Sequence, residues 1–333
     1  MKTKLNFYKF ESCKEMFSTL LDEVMNTGLE SKFNNSLICK EKTYVHIVLQ
    51  EPKKRCEFQS LSSMFFDLVE TIFVLSGRTD SFVLTKYKSV LYLWEVDGHF
   101  PDAVGPRLYK IYGNQVDRCI DILSNDQESR QAVISLMDFS AHMPCSMFCQ
   151  FLIREGKLDL LLTFRASELL DYAYSDVYTY TTLQELMAYW LNVDVGNFHF
   201  YATSLHITEP NFKKAELILE RNKTRQKNEK SNIPIEMEYE GFREKFSTAI
   251  DILSTWHKRN TMESADFHIK EINSYDLPYF LNYWLKILLC ERFLNEKKVT
   301  EVNYILDHLE ESDLKEELIY FLNCPSSEIL EVV

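Results

Sequence analysis

The spacing of apolar residues divides the chain into helix-like and strand-like stretches. Residues 11–28 place Met16, Phe17, Leu20, Leu21, Val24 and Met25 at helical intervals and stop at Gly28. The run 43–50 reads as a strand that leaves through Pro52 and Lys53, Lys54 and Arg55. A second helix is expected from Ser62 to Ser76, with Glu70 an acid set among Phe65, Phe66, Leu68, Val69, Ile72 and Phe73. A further helix at 113–124 leads to a short strand from Ala132 to Met137, and a hairpin at 147–164 turns at Arg154-Glu155-Gly156-Lys157. Residues 177–192 carry Leu183, Leu186, Met187, Trp190 and Leu191 on one face, as a central core helix would. From 196 to 207 the pattern alternates, with Phe198, Phe200, Ala202, Ser204 and His206 expected on one side.

Beyond Phe212 the character changes. Residues 213–235 are dense in lysine and arginine and read as an exposed helix and linker, while 241–259 and 276–323 are amphipathic helices without evident chemistry. The expected organisation is a core over 1–212 and a helical C-terminal extension over 213–333.

Composition narrows the function classes. With 333 residues, of which 46% are hydrophobic and 14% aromatic, the chain can bury a substantial core. A net charge of −13 disfavours nucleic acid or an acidic membrane as partner, because both call for a basic field. Only 8 glycines occur, with no GxGxxG or GxxxxGK[ST], so any bound phosphate depends on a few placed arginines. The 8 cysteines form no CxxC pair and are read as reduced thiols of a cytoplasmic protein, without a metal framework. The N-terminus lacks an apolar signal core and no apolar run approaches 18 residues.

One stretch stands out for chemistry. Pro144-Cys145 leads into an apolar strand, where a fold can present a thiolate as nucleophile; a free cysteine is also commonly a small buried hydrophobe. Arg165 and Arg130 are candidate phosphate ligands, since guanidinium binds phosphate bidentately, or else surface arginines. Asp176 stands where a helix N-cap belongs, and Glu70 could simply face solvent.

Taken in order, these residues resemble the thymidylate synthase superfamily. Its pattern is a proline–cysteine nucleophile, then Arg-Ser-x-Asp, an asparagine at a buried helix, and a strand ending in His-x-Tyr. Here Pro144-Cys145, Arg165-Ala166-Ser167-Glu168, Asp176 and His206-Ile207-Thr208 follow in that order, without a gap between Arg165 and His206. Upstream, Glu70 to Gly77 resembles the family's Glu-Leu-x-Trp-x-Leu-x-Gly segment, and Ser129-Arg130 its Ser-Arg-Arg phosphate loop. The likeness covers roughly 11–212. It implies an α+β fold, a large mixed sheet packed on helices.

The departures from the family pattern point to a branch. Asp176 replaces the base-reading asparagine, the change that marks cytidylate hydroxymethylases. Ala166 and Gln131 stand where the family has a phosphate-binding serine and a second arginine. Ser146 follows the nucleophile in place of histidine, and Glu168 takes the place of the folate-facing aspartate. The resemblance therefore implies 5-hydroxymethylation of a cytidine 5′-monophosphate, CMP over dCMP, with 5,10-methylenetetrahydrofolate. Cys145 would add to C6, Asp176 would pair with N3 and N4, and Glu70 would position the water that adds to a C5 methylene. Gln150 and His206 are expected at the pyrimidine and the sugar hydroxyls, and Tyr92 and Trp94 against the folate ring. A homodimer is implied, with Arg130 reaching the partner's site. A uridylate C5-methylating enzyme of the same fold and a non-catalytic nucleotide-binding relative are the alternatives.

Overall fold

The computed structural model describes residues 6–33, 36–55, 63–138, 144–222 and 230–323. Its strands are β1 (Asn6–Phe10), β2 (Leu29–Phe33), β3 (Leu37–Leu49), β4 (Val133–Ser135), β5 (Ser146–Arg154), β6 (Lys157–Phe164), β7 (Ser167–Glu168) and β8 (Asp194–Thr208). They form one mixed sheet in the order β1-β3-β8-β6-β5-β4, with β2 on β3 and β7 on β8. β5 and β6 make the expected hairpin, and β6 runs parallel to β8.

The helices are α1 (Cys13–Thr27), α2 (Ser63–Ser76), α3 (Leu84–Tyr87), α4 (Val104–Tyr109), α5 (Gln115–Asn125), α6 (Ala173–Trp190), α7 (Phe212–Asn222), α8 (Phe242–Lys258), α9 (Ala265–Ser274), α10 (Tyr279–Asn295), α11 (Val299–Asp307) and α12 (Asp313–Asn323). α1 packs on β1, β3 and β8, and α6 lies across β6 and β8; α2 stacks on α6, and α8 and α10 cover α2. The apolar residues of the C-terminal helices join those of the sheet in one continuous core. The stretch 276–323 is three helices, and α9 precedes them. Residues 223–229 of the charged linker lie outside the described residues.

Two sequence expectations are corrected. The central helix begins at Ala173, four residues earlier than the pattern suggested, and it is buried nearly all round rather than on one face. Lying between sheet and α2, it buries Thr179, Thr181, Thr182, Gln184 and Glu185 as well as its leucines. Several of their polar atoms find partners locally, whereas Thr182 Oγ1 and Gln184 Oε1 are buried without one. Thr181 Oγ1 donates to Val177 O at 2.7 Å, and Gln184 Nε2 donates to Leu158 O at 2.8 Å and Asn197 O at 3.0 Å, tying helix to sheet.

The second correction concerns β8. Phe198, Phe200 and Ala202 are buried, but beyond Thr203 the buried positions become Leu205 and Ile207. Ser204 and His206 therefore leave the core side. The switch falls between the Thr43–Ser204 and Val45–Ala202 pairs, where Tyr44 of β3 takes φ 53°. A local break of this kind shifts the period-2 alternation by one residue.

One buried ion pair anchors the C-terminal third to the core. Arg55 pairs with Glu185 of α6 and donates from Nε to Thr181 Oγ1 at 3.1 Å, while Glu185 Oε1 accepts the Ile235 N–H at 3.3 Å. Removing one partner strands the other charge in a low-dielectric setting. Glu185→Ala is expected to cost about 3–5 kcal/mol in urea unfolding. A loss below about 1 kcal/mol, the surface-pair range, would show that the pair is not an anchor.

Candidate functional site

The site forms where the start of β5, the β6–β7 turn, and the facing ends of α2 and α6 meet. Cys145 is the exposed cysteine among those described, whereas Cys13, Cys39, Cys119, Cys149 and Cys290 are buried. Its segment is clamped by Arg165: the Arg165 N–H donates to Cys145 O at 3.0 Å, and Nε donates to Pro144 O at 3.0 Å. A β-bulge follows between Ser146 and Phe148, which re-aims the chain just after the cysteine. Partial burial pushes the Cys145 thiol up, the Arg165 guanidinium pulls it back, and Asp176 adds a further rise. The thiol is thus placed beside both an arginine and a carboxyl group.

Asp176 is not the helix cap. Tyr172 holds the N-cap position of α6 without a side-chain cap bond, and the Asp176 N–H already donates to Tyr172 O at 2.9 Å. Its carboxyl is free of capping duty and faces α2. Burial holds it well above the usual carboxylate range, with Glu70 and Asp67 pushing the same way and Lys88 opposing. Glu70 faces the protein interior rather than solvent, and its Oε2 is buried without a hydrogen-bond partner. Burial raises its carboxyl too, against the Ser175 hydroxyl and Lys88. Two acids in one dry seam cannot both ionise freely.

Around them lie groups that sequence pattern did not single out. The Lys88 ammonium sits 3.8 Å from the centroid of the Tyr172 ring and donates to Asp171 O at 2.5 Å. Lys214 of α7 lies among Asp171, Glu168, Asp67 and Lys88, and burial lowers its ammonium. Tyr172 precedes Asp176 by one helical turn, a spacing visible in the sequence. Lys88 lies in the 78–105 segment, where the sequence likeness is not clean, so nothing marked it.

Glu168 has a structural task. Its carboxylate accepts from the N–H groups of Leu170 at 2.7 Å, Asp171 at 2.5 Å and Thr208 at 3.3 Å, and from Asn211 Nδ2 at 3.0 Å. These four donors tie β7, the start of α6 and the end of β8 together. His206 pairs in register with Glu168, and its Nδ1 is buried without a partner. Burial lowers the imidazole, with Glu41 opposing and Arg165 adding to the lowering. Ala166 follows Arg165 directly; Ser167 beside it is buried, its hydroxyl unpartnered and turned away from solvent. Ser146 is buried as well.

The remaining candidates lie apart from Cys145. Arg130 and Gln131 are exposed at the entry to edge strand β4. Gln150 Nε2 donates to Arg130 O at 2.8 Å, so Gln150 steadies that loop. Gln150 is five residues along β5 from Cys145, roughly 16 Å at strand spacing, so the Arg130 backbone sits well along the strand from the thiol. Trp94 and Tyr92 are each about half exposed. Trp94 lies 6.1 Å from the Tyr172 ring and so borders the site; Tyr92 has no described ring contact. Trp94, Leu93 and Val96 make an exposed apolar strip beside Tyr172, and this strip with Lys88 suits a flat aromatic co-substrate that carries acidic groups.

Part of this sequence is shared with known proteins. A deoxyuridylate hydroxymethyltransferase of Bacillus phage SP01 is 28% identical over 225 residues, covering 60% of this chain and 58% of its own. A deoxyuridylate hydroxymethyltransferase of Pseudomonas phage M6 is 27% identical over 164 residues, covering 44% and 47%. A thymidylate synthase of Streptococcus suis is 29% identical over 167 residues, covering 46% and 59%. The chain thus spans about half to three-fifths of the length of these curated relatives. The family of thymidylate synthases uses methylenetetrahydrofolate to transfer one carbon to C5 of pyrimidine nucleotides. Its profile matches residues 68–251, more than half of the chain, from α2 through the Cys145 hairpin and α6 into α8, and the chain belongs to the thymidylate synthase family.

Proposed function

We propose that the protein hydroxymethylates C5 of a cytidine 5′-monophosphate. The observation that carries this reading is Asp176: a carboxyl free of capping duty, pushed well above the usual carboxylate range by its surroundings, with Glu70 and Asp67 adding to the rise, and within electrostatic reach of Cys145. A neutral carboxyl has one donor and one acceptor. It can accept from cytosine N4 and donate to N3, which withdraws electrons from the ring and eases attack at C6. With its proton on the other oxygen the same group matches O4 and N3–H of uracil. The two phage relatives named for deoxyuridylate favour that second reading.

The chain's own residues would act in sequence. Cys145, as thiolate beside Arg165, adds to C6, while Asp176 gives its proton to N3 as negative charge develops on the ring. Methylenetetrahydrofolate, when bound, supplies the one-carbon unit that C5 receives. The C5 hydrogen leaves as a proton to solvent, with Glu70 and a water as the base. Glu70 then orients water onto the C5 methylene that remains once the carbon–nitrogen bond to the folate breaks and tetrahydrofolate leaves, and departure of Cys145 restores the ring double bond as N3 returns its proton to Asp176. Arg165 holds the phosphate, and His206 and Thr208 border the sugar. Arg130, whose backbone sits well along β5 from Cys145, would complete the phosphate site of a second copy in a two-fold homodimer. The strip at Trp94 would stack the folate ring, with Tyr92 at its margin.

Tritium release from 5-tritiated CMP, dCMP, UMP and dUMP with methylenetetrahydrofolate tests the reaction. Cys145→Ala should abolish release while nucleotide binding stays measurable; turnover within tenfold of wild type would remove Cys145 from the mechanism. Asp176→Asn should move preference from cytosine to uracil, because a fixed amide can satisfy only O4 and N3–H. Sites that hydrogen-bond a substrate edge discriminate by up to about 10⁴-fold, and a wild-type enzyme indifferent between the bases would sink the cytosine reading.

The sugar preference rests on lost phosphate ligands. Ala166 supplies no hydroxyl, Ser167 is turned inward, and Gln131 carries no charge, so the nucleotide can shift toward the space beside His206 and Thr208. CMP is expected over dCMP by about tenfold in kcat/KM, roughly 1.4 kcal/mol. Ala166→Ser with Gln131→Arg should erode that ratio. Equal or better use of dCMP by the wild type would refute it.

A further inference from the structure

The acids of the site face a cation that the proposed reaction has not yet used. Lys88 follows α3 by one residue, and its ammonium lies between two aromatic rings on different helices. It is 3.8 Å from the centroid of Tyr172, the N-cap of α6, and 4.9 Å from the centroid of Phe66 on α2. The donation to Asp171 O at 2.5 Å fixes it there. Each ring stands one helical turn before a site carboxylate: Phe66 precedes Glu70 by four residues, and Tyr172 precedes Asp176 by four. Residues four apart share a helix face, with side chains one above the other. A cation seated on both rings is therefore one turn from both acids, on the side where α2 and α6 meet.

We propose that Lys88 is the positioning residue of the C5 transfer, the cation that Glu70 and Asp176 share across the α2–α6 seam. This inference rests on the proposed hydroxymethyl transfer. Its effect differs for the two acids. Glu70 has the Ser175 hydroxyl as well as Lys88 to favour its ionised form, whereas Asp176 has Glu70 and Asp67 ranged against it. One shared positive charge thus settles on Glu70 as carboxylate, able to take a proton through water, and leaves Asp176 as the proton donor. The other charged groups around this cation are Asp67 on α2, Asp171 and Glu168 at the start of α6, and Lys214 on α7. Lys214 lies toward Asp171 and Glu168, so it does not take over the place of Lys88.

The test replaces the charge while keeping the stem, Lys88→Met, beside the conservative Lys88→Arg. Carboxyl titrations followed by ¹³C NMR, assigned with Glu70→Gln and Asp176→Asn, read the pairing without turnover. Lys88→Met should raise the lower of the two midpoints by about one pH unit, a tenfold change in its protonation equilibrium. Lys88→Arg should hold it near wild type. In tritium release, the acid limb of the kcat profile should move up by the same amount in Lys88→Met, with KM for the nucleotide changed less than about threefold and the arginine variant rescuing the profile. Unmoved carboxyl midpoints in a folded Lys88→Met protein would overturn the inference. A wild-type protein that releases no tritium from any of the four nucleotides would instead overturn the transfer reading, and the carboxyl titration would then decide the Lys88 pairing by itself.

Discussion

Two carboxyl groups meeting in a helix–helix seam set the terms for everything around them. Glu70 and Asp176 lie where α2 stacks on α6, and each raises the cost of ionising the other. Such a pair survives only if something compensates it or if one member stays protonated. Lys88 and Ser175 pull Glu70 back toward its charged form, while burial pushes Asp176 well above the usual carboxylate range. The sheet holds α6 by the Gln184 bonds to β6 and β8, and α8 and α10 pack over α2. Stability and reactivity are thus drawn from one packing arrangement.

The fixed surroundings of the nucleophile follow the same logic. Arg165 serves twice, its backbone and guanidinium clamping Pro144-Cys145 while its charge faces the thiol. Glu168 is spent entirely on backbone and amide donors, which locks β7 and β8 to the start of α6. A longer acid at a place where the family pattern has aspartate can reach these donors itself. Under the proposed reading, the folate side would fall to Trp94 and its neighbours rather than to this carboxylate.

Much of the fold was legible because the long elements carry strong periodicity. The hairpin at 147–164, α2 and α8 were read to within a residue or two, since apolar spacing and turn residues agree there. β1, β2 and α9 were missed, being short and lacking a distinctive pattern. α6 was misjudged in character, because its second buried face is made of threonine, glutamine and glutamate that look polar in sequence, several of them hydrogen-bonded within the fold. Of the site, the ordered motif residues Cys145, Arg165, Asp176 and Glu70 came together as their order suggested. Lys88 and Lys214 were invisible, since a lysine in a loop or on a charged helix carries no periodic or motif signal. Only three-dimensional packing shows which one faces an acid.

The phase change in β8 has a consequence for how such an enzyme can diversify. Before Thr203, the strand's inward residues are phenylalanines locked into the central packing; after it, the alternate track carries Ser204 and His206 past Arg165 and Glu41. One continuous strand thereby serves two masters without sharing positions between them. Substitutions along the second track can retune contacts to a nucleoside without opening a void under α6. A strand that kept strict alternation would couple every such change to the core, so the kink at Tyr44 acts as an insulator between ligand preference and folding stability.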